Sequence, residues 1–241
     1  MLSSRIIPFL LIKNGGLYKT ENFTNAKYVG DPLNAVKIFN EKFVDEIVVL
    51  DIDATVKYKE PNYKLISNIA RECRMPLCYG GGIKDVDQIE KIISLGVEKV
   101  ALSSSIIDNP ELITSASKRV GSQSIVAVLD IKKYGVFSNY GLYINNGKIR
   151  CKKDPLIFAK EISSLGVGEF VINSIDCDGT QKGYDLKLID MIKLKIPNIP
   201  ITFIGGAGSI SDIKMLLKRH YPIAAGAGSL FVFKGKYKAV L

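Results

Sequence analysis

Eight short Val/Ile-rich runs alternate with helical patterns along the whole chain. The runs cover residues 5–12, 46–52, 76–80, 98–103, 124–131, 168–175, 200–204 and about 222–226. Each is almost continuously apolar, the pattern of a parallel strand buried on both faces. Asp31-Pro32 supplies an N-cap and a first-turn proline, and Val36, Phe39 and Phe43 follow at helical spacing. Val86, Ile89 and Ile93 share one face of residues 84–95, with Gly96 at the C-cap position. Asp154-Pro155 opens a helix that ends at Gly166, and residues 60–74, 110–119, 185–195 and 209–219 complete seven helices. The eighth is missing or very short. Eight βα units in 241 residues favour an α/β fold of the closed (β/α)8 barrel type over a doubly wound sheet. The turn signals "NYG" and "INNGK" mark residues 134–150 as a β-hairpin inserted after the fifth strand.

The chain also repeats itself at half its length. "IIPFLLIK" (6–13) matches "IVAVLDIK" (125–132), and "DEIVVLDIDAT" (45–55) echoes "GEFVINSIDCDGT" (168–180). "PLCYGGGI" (76–83) echoes "PITFIGGAG" (200–208), and "ALSSSII" (101–107) echoes "AGAGSLF" (225–231). A two-fold repeat of this period is the signature of duplicated half-barrels, about 1–121 and 122–241, within one domain. Leu11 and Asp130 then occupy matching positions on opposite sides of one barrel mouth.

Barrel active sites lie at the C-terminal ends of the strands. Glycine-rich turns fall there, each before a helix, where backbone amides suit a phosphate. One cup holds Gly81, Gly82, Ser103 and Ser104. The other holds Gly206, Ala207, Gly208, Gly228 and Ser229. Two facing cups imply a long ligand with a phosphate at each end. Carboxylates gather at the same end: Asp51, Asp53, Asp130, Asp176 and Asp178. Asp130 is the sharpest candidate for general acid–base work, because it ends a buried apolar strand. Asp51 is also open to a structural role in the mouth.

Several classes are excluded. A single histidine, His220, leaves no His-based triad or zinc cluster. The four cysteines, Cys73, Cys78, Cys151 and Cys177, show no CxxC pair or metal spacing, as expected of reduced cytoplasmic thiols. No apolar run is long enough to span a membrane, and the opening "MLSSRIIPFLL", without a basic stretch or a small-residue cleavage site, is not expected to be a signal peptide. The net charge is +9, but apart from Lys234, Lys236 and Lys238 the basic residues are spread along helices. That pattern argues against nucleic acid and suits an anionic small molecule or an acidic partner surface.

"RIIPFLLIKNG", "GDP", "DEIVVLDI", "GGGI", "NPELI", "GSQSIVAVLDIK", "DGT-x-x-GYD" and "GGAGS" run in order through nearly the whole chain. Together they resemble the cyclase subunit of imidazole glycerol phosphate synthase. The resemblance implies a (β/α)8 barrel that needs no cofactor. It implies a class I glutaminase partner, whose ammonia crosses the barrel to a bisphosphorylated substrate at the far mouth. It carries catalysis onto Asp130 and onto position 11, which is Leu11 here. Asp178, Gly179 and Thr180 join the phosphate positions, while Ser103, Ser104 and Ile204 depart from the family pattern. The ammonia gate falls on Arg5, Glu46, Lys99 and Glu169, which keep the expected charges, with Arg5 expected to pair with Glu46 and Lys99 with Glu169.

An altered mouth above a preserved entrance resembles the branch of this family found beside surface-polysaccharide genes. "LDIDAT", the "EPN" at 60–62 and the ending "GSLFVFKGKYKAVL" carry that likeness. The branch implies ammonia transfer to an ATP-dependent sugar amidotransferase that converts an acetamido to an acetamidino group. Two alternatives stay open: a genuine cyclase of histidine biosynthesis, and a silent scaffold that activates the glutaminase.

Overall fold

The computed structural model of the chain describes residues 3–234, 239 and 240. The elements run β1 (Arg5–Lys13), β2 (Gly16–Glu21), β3 (Thr24–Gly30), α1 (Pro32–Glu41), β4 (Ile47–Asp51), α2 (Tyr63–Glu72), β5 (Leu77–Gly80), α3 (Val86–Ser94) and β6 (Lys99–Leu102). After them come α4 (Ser104–Asp108), α5 (Glu111–Val120), β7 (Ile125–Tyr134), β8 (Asn139–Ile144), β9 (Ile149–Arg150), α6 (Pro155–Ser163) and β10 (Glu169–Ser174). Then follow α7 (Leu186–Lys195), β11 (Ile201–Ile204), α8 (Ile210–Arg219), β12 (Ala224–Ala227) and α9 (Ser229–Val232).

Strands β1, β4, β5, β6, β7, β10, β11 and β12 pair in parallel in that order, and β12 returns to β1. The sheet is closed, and the fold is a (β/α)8 barrel. Its strands alternate between two packing layers. Outward side chains such as Val49, Phe170 and Ile172 join the helices in one large core. Inward side chains such as Ile7, Phe9, Val48, Val126, Val128 and Val171 form a second apolar cluster inside the barrel. Burial on both sides explains why the strand sequences read as continuous apolar runs.

Helix starts follow the expected chemistry. Asp31 and Asp154 cap α1 and α6 ahead of a first-turn proline, and Asn62, in the "EPN" stretch, caps α2. Ser209 and Asp212 form a reciprocal capping box on α8. The eighth helix, α9, is only four residues long.

The structure corrects some expectations. Phe43 lies beyond α1 with φ 52° and is 91% exposed, so it belongs to a turn and not to the buried face. On α3 the fully buried partner of Ile89 is Ile92; Ile93 is only partly covered. The hairpin expected at 134–150 forms as β8 and β9, and β8 also pairs antiparallel with β7, which runs past the mouth to Tyr134. A second hairpin, β2–β3, went unread in the sequence; it pairs with β1. Lys236 and Lys238 lie outside the described residues. Among the described residues, no helix is long and apolar enough to cross a membrane.

Candidate functional site

The C-terminal strand ends surround a cavity of about 560 Å³, a size that suits a small molecule. Gly81, Gly82, Ser103 and Ser104 all line it, so the first glycine cup is open to a ligand. Gly81 has φ 119°, and a side chain there would strike the Asp51 carbonyl. That turn can be made only by glycine. The Gly82 amide donates to Thr55 Oγ1 at 3.2 Å.

The second cup is not its twin. Only Asp178 and Gly228 of its members reach the cavity, together with Gly205. Gly206 and Gly208 lie under the backbone carbonyls of Gly183 and Gln181, and the Gly183 amide donates to Gly206 O at 2.8 Å. Gly179 packs under the Thr20 carbonyl, and Thr180 Oγ1 donates to Cys177 O at 2.8 Å. Ala207 and Ser229 are buried. The first cup thus faces the cavity, whereas most of the second is covered by neighbouring backbone.

Residues 181–183 cover Gly206 and Gly208, and the β2–β3 hairpin covers Gly179 and Gly228. Asn22 fastens the hairpin, its backbone amide donating to Asp178 O at 2.9 Å and its side-chain amide to the Ile175 and Asp176 carbonyls at 2.9 and 2.8 Å. This places Lys19, 4% exposed, over the second cup. Its ammonium lies where a side chain on residue 228 would go, so Lys19 would have to move to admit one. Burial lowers the Lys19 pKa, and the Asp178 charge works against that fall. Burial raises Asp178, opposed by Lys19 and by the Thr20 hydroxyl. Sequence reasoning passed over Lys19, because a lone lysine in a polar stretch gives no sign that it will be covered.

Asp130 faces the same cavity as Leu11. It stands beside Asn173 in the β7–β10 register, and Asn173 Nδ2 donates to Asp130 Oδ1 at 2.9 Å. Burial pushes the Asp130 carboxyl up to about 7; the Asn173 amide favours the charged form, and Asp178 adds to the rise. Leu11 is 9% exposed and supplies only an apolar wall, with Phe9, Leu50 and Ile204. The mouth thus holds a half-buried acid whose carboxyl is raised to about 7, with no carboxylate at the position opposite. Asn173 was passed over in the sequence, although it is an amide within an otherwise apolar barrel strand. Asp51 is a turn former: its Oδ1 accepts from the Asp53 and Ala54 amides at 3.0 and 3.1 Å. Asp176 likewise accepts from the Lys133 amide at 2.7 Å.

The opposite end carries a ring. Arg5, Glu46, Lys99 and Glu169 meet at the N-terminal ends of β1, β4, β6 and β10. The expected pairs form, Arg5–Glu46 at 2.5 Å and Lys99–Glu169 at 2.9 Å. The crossed pairs form as well, Arg5–Glu169 at 2.6 Å and Lys99–Glu46 at 2.8 Å, so the four charges close a circle. Thr202 adds a fifth member absent from the sequence reading, its hydroxyl donating to Glu169 Oε1 at 2.6 Å. Burial and the neighbouring Glu169 raise Glu46, against Lys99 and Arg5. Burial also works against a charged Glu169, but Lys99, Arg5 and Thr202 outweigh it and hold that carboxyl below its usual range.

Between ring and mouth, every second residue of a strand points inward. Strand β10 presents Glu169, Val171 and Asn173 in sequence; β1 presents Arg5, Ile7, Phe9 and Leu11. The interior is apolar and packed. Gly226 lies against Phe9 and Ile204, which fill the space its missing side chain leaves inside the barrel.

Comparison with known proteins agrees with this geometry. Residues 5–238 match the family described as histidine biosynthesis protein. The chain is 54% identical, over all 241 residues and 92% of the relative, to a Vibrio vulnificus protein provisionally named imidazole glycerol phosphate synthase subunit hisF3. It is 52% identical, over its full length and 94% of the relative, to a Leptospira borgpetersenii protein with the provisional name imidazole glycerol phosphate synthase subunit HisF. A Lactococcus lactis protein named imidazole glycerol phosphate synthase subunit HisF is 41% identical over 96% of this chain and 89% of its own. With a closed barrel, a cavity at its C-terminal face and a match from residue 5 to residue 238, the chain belongs to the histidine biosynthesis protein family.

Proposed function

We propose that the chain is a cyclase-like subunit of a glutamine-dependent amidotransferase. It receives ammonia from a class I glutaminase at the charged ring and delivers it through the barrel to the mouth. The single observation that carries this reading is the contrast between the barrel's two ends. The entrance is a complete four-charge ring, whereas the mouth presents Asp130 without a carboxylate at Leu11. Leucine can neither move a proton nor stabilise a developing cation. One positioned acid–base group typically contributes about 10²- to 10⁴-fold in rate, so the chain's own cyclase turnover is negligible. The ammonia goes instead to a third protein, an ATP-dependent sugar amidotransferase that makes an acetamidino group for a surface polysaccharide. The open first cup still accepts a phosphorylated small molecule or another anion.

Two experiments test the proposal. Purified chain is assayed with ammonium salt and the ribulosyl cyclase substrate; turnover within tenfold of an ordinary cyclase subunit would restore the histidine-pathway reading. A coexpressed class I glutaminase should elute with this chain as a 1:1 complex, and two independently eluting proteins would remove the partner.

A further inference from the structure

Strand β7 does not stop at the mouth. It continues from Asp130 to Tyr134 and pairs with β8, Lys132 opposite Gly141 and Tyr134 opposite Asn139. Residues 135–138 make the turn, with Gly135 and Ser138 at φ 68° and 52°. The centre of such a turn is ordinarily small or polar. Here it holds Val136, 96% exposed, and Phe137, 89% exposed, next to the half-buried Tyr134. A run of large apolar side chains at the apex of an arm marks an interaction surface.

The arm is built, not loose. Ile131 and Leu142 are buried at its base. On the same face, the Lys133 ammonium and the Tyr140 hydroxyl both reach the Asp185 carboxylate, at 2.8 and 3.0 Å. Alternate residues point the other way, so the inward side of β7 continues past Asp130 as Lys132 and Tyr134. There the Arg150 guanidinium lies 4.0 Å from the centre of the Tyr134 ring. Gly141 makes room for this stack, since a side chain on it would strike both. The far end of β8 and its turn, Ile144 to Asn146, form part of the cavity wall.

The charge of the arm is one-sided. Residues 131–153 hold five lysines and one arginine and no aspartate or glutamate. Of these cations, Lys133 is the one in a salt bridge among the described residues. The carboxylates flanking the segment are engaged: Asp130 takes the Asn173 amide, and Asp154 caps α6.

We propose that this hairpin is a docking arm for an acidic protein surface with an apolar pocket. Val136 and Phe137 enter the pocket, and Lys132 and Arg150 face the partner's carboxylates. The partner is the amidating enzyme of the proposed function; the inference rests on that reading and adds where that enzyme sits. A bilayer would meet the tip alone, whereas Lys132 and Arg150 lie on the face that overlooks the mouth. A partner matched to both covers the cavity and takes up nitrogen before solvent does. The apolar anchors supply affinity, and the charges supply orientation and encounter rate.

The test uses this chain in complex with its glutaminase, and a purified ATP-dependent sugar amidotransferase. Binding is read by biolayer interferometry, and transfer as amidated sugar per glutamate released. The parent complex should bind, less tightly as salt is added. Val136→Ser with Phe137→Ser should weaken binding at least tenfold, as should Lys132→Glu with Arg150→Glu. Melting temperature and coelution with glutaminase should stay unchanged in both variants. No binding by the parent, or binding unchanged in both variants, overturns the arm. Transfer that works in the parent and persists undiminished in both variants also overturns it, while the transfer reading stands. A parent that yields no amidated sugar from glutamine, beside an amidotransferase active with ammonium chloride, removes the transfer reading and the arm's occupant with it. Phosphatidylglycerol vesicles provide a parallel probe: tip-dependent binding to them, with none to the enzyme, assigns the tip to a membrane and overturns the protein docking arm.

Discussion

Thr202 donates its hydroxyl to Glu169 Oε1 across 2.6 Å inside the barrel, where Thr202 is fully buried. Glu169 thereby gains a donor that Glu46, the other carboxylate of the ring, lacks. Thr202→Val removes one charge-assisted bond and should cost about 1–2 kcal/mol, read by urea denaturation, while Thr202→Ser should keep most of it. The sign with pH is fixed. Glu169 is held below its ordinary value of 4.5, so its contribution is present above that pH and is lost as pH falls through the folded value. The deficit of the valine variant should therefore shrink in acid.

Asp130 works in the opposite direction. Its carboxyl is raised from 3.8 to about 7, so the folded chain favours the protonated acid. Stability tied to this group is present below 3.8 and is lost as pH rises through about 7. Asp130→Asn should accordingly be more stable than the parent at pH 8, by an amount on the order of 2–4 kcal/mol, and the gap should close as pH falls toward 4. Paired denaturation curves across that range measure it; a constant gap would contradict a raised Asp130 carboxyl.

Opening the ring should uncouple nitrogen transfer. Arg5→Ala or Lys99→Ala leaves two buried carboxylates with one cation between them. Glutamine hydrolysis should continue in the complex while the yield of amidated sugar per glutamate released falls severalfold. An unchanged yield in both variants would mean that nitrogen does not pass the ring.

The difference between the cups should appear in anion binding. Sulfate or phosphate should raise the melting temperature through the open cup, since a ligand that binds only the native state stabilises it. Ser104→Glu places a negative charge there and should abolish the effect. Stabilisation that survives Ser104→Glu but disappears in Lys19→Ala would assign the anion to the covered second cup instead.

Gly226→Ala should destabilise the barrel by about 1–3 kcal/mol, the cost of overpacking a full core. The new methyl would meet Ile204 and Phe9. Ile204→Ala in the same chain should recover part of the loss, and thermal melts of the single and double variants decide it.

The barrel was legible because burial on two faces writes long apolar runs, and the capping residues Asp31, Asp154 and Ser209 mark where strands give way to helices. Asp130 stood out as a charge ending such a run. The β2–β3 hairpin did not, since only Leu17 and Val29 of its apolar side chains are buried and its turn residues read as a polar loop. Lys19 was hidden for the same reason: its burial depends on Asn22 reaching the β10 loop, a contact 153 residues apart. Thr202 was masked by a strand in which a threonine looks like an ordinary β-former. Phe43 misled because helical spacing persists for one turn after α1 has already ended.

Strand β10 also guards the accuracy of folding. Its inward face reads Glu169, Val171, Asn173 and its outward face Phe170, Ile172. A slip of one residue would exchange the two faces. Glu169 would then be pressed among aliphatic helix side chains, away from Arg5 and Lys99, and Asn173 would leave Asp130. An unpaired buried charge costs several kcal/mol. Barrels closed in the wrong stagger are thus rejected during assembly by the same side chains that mark the two ends of the finished one.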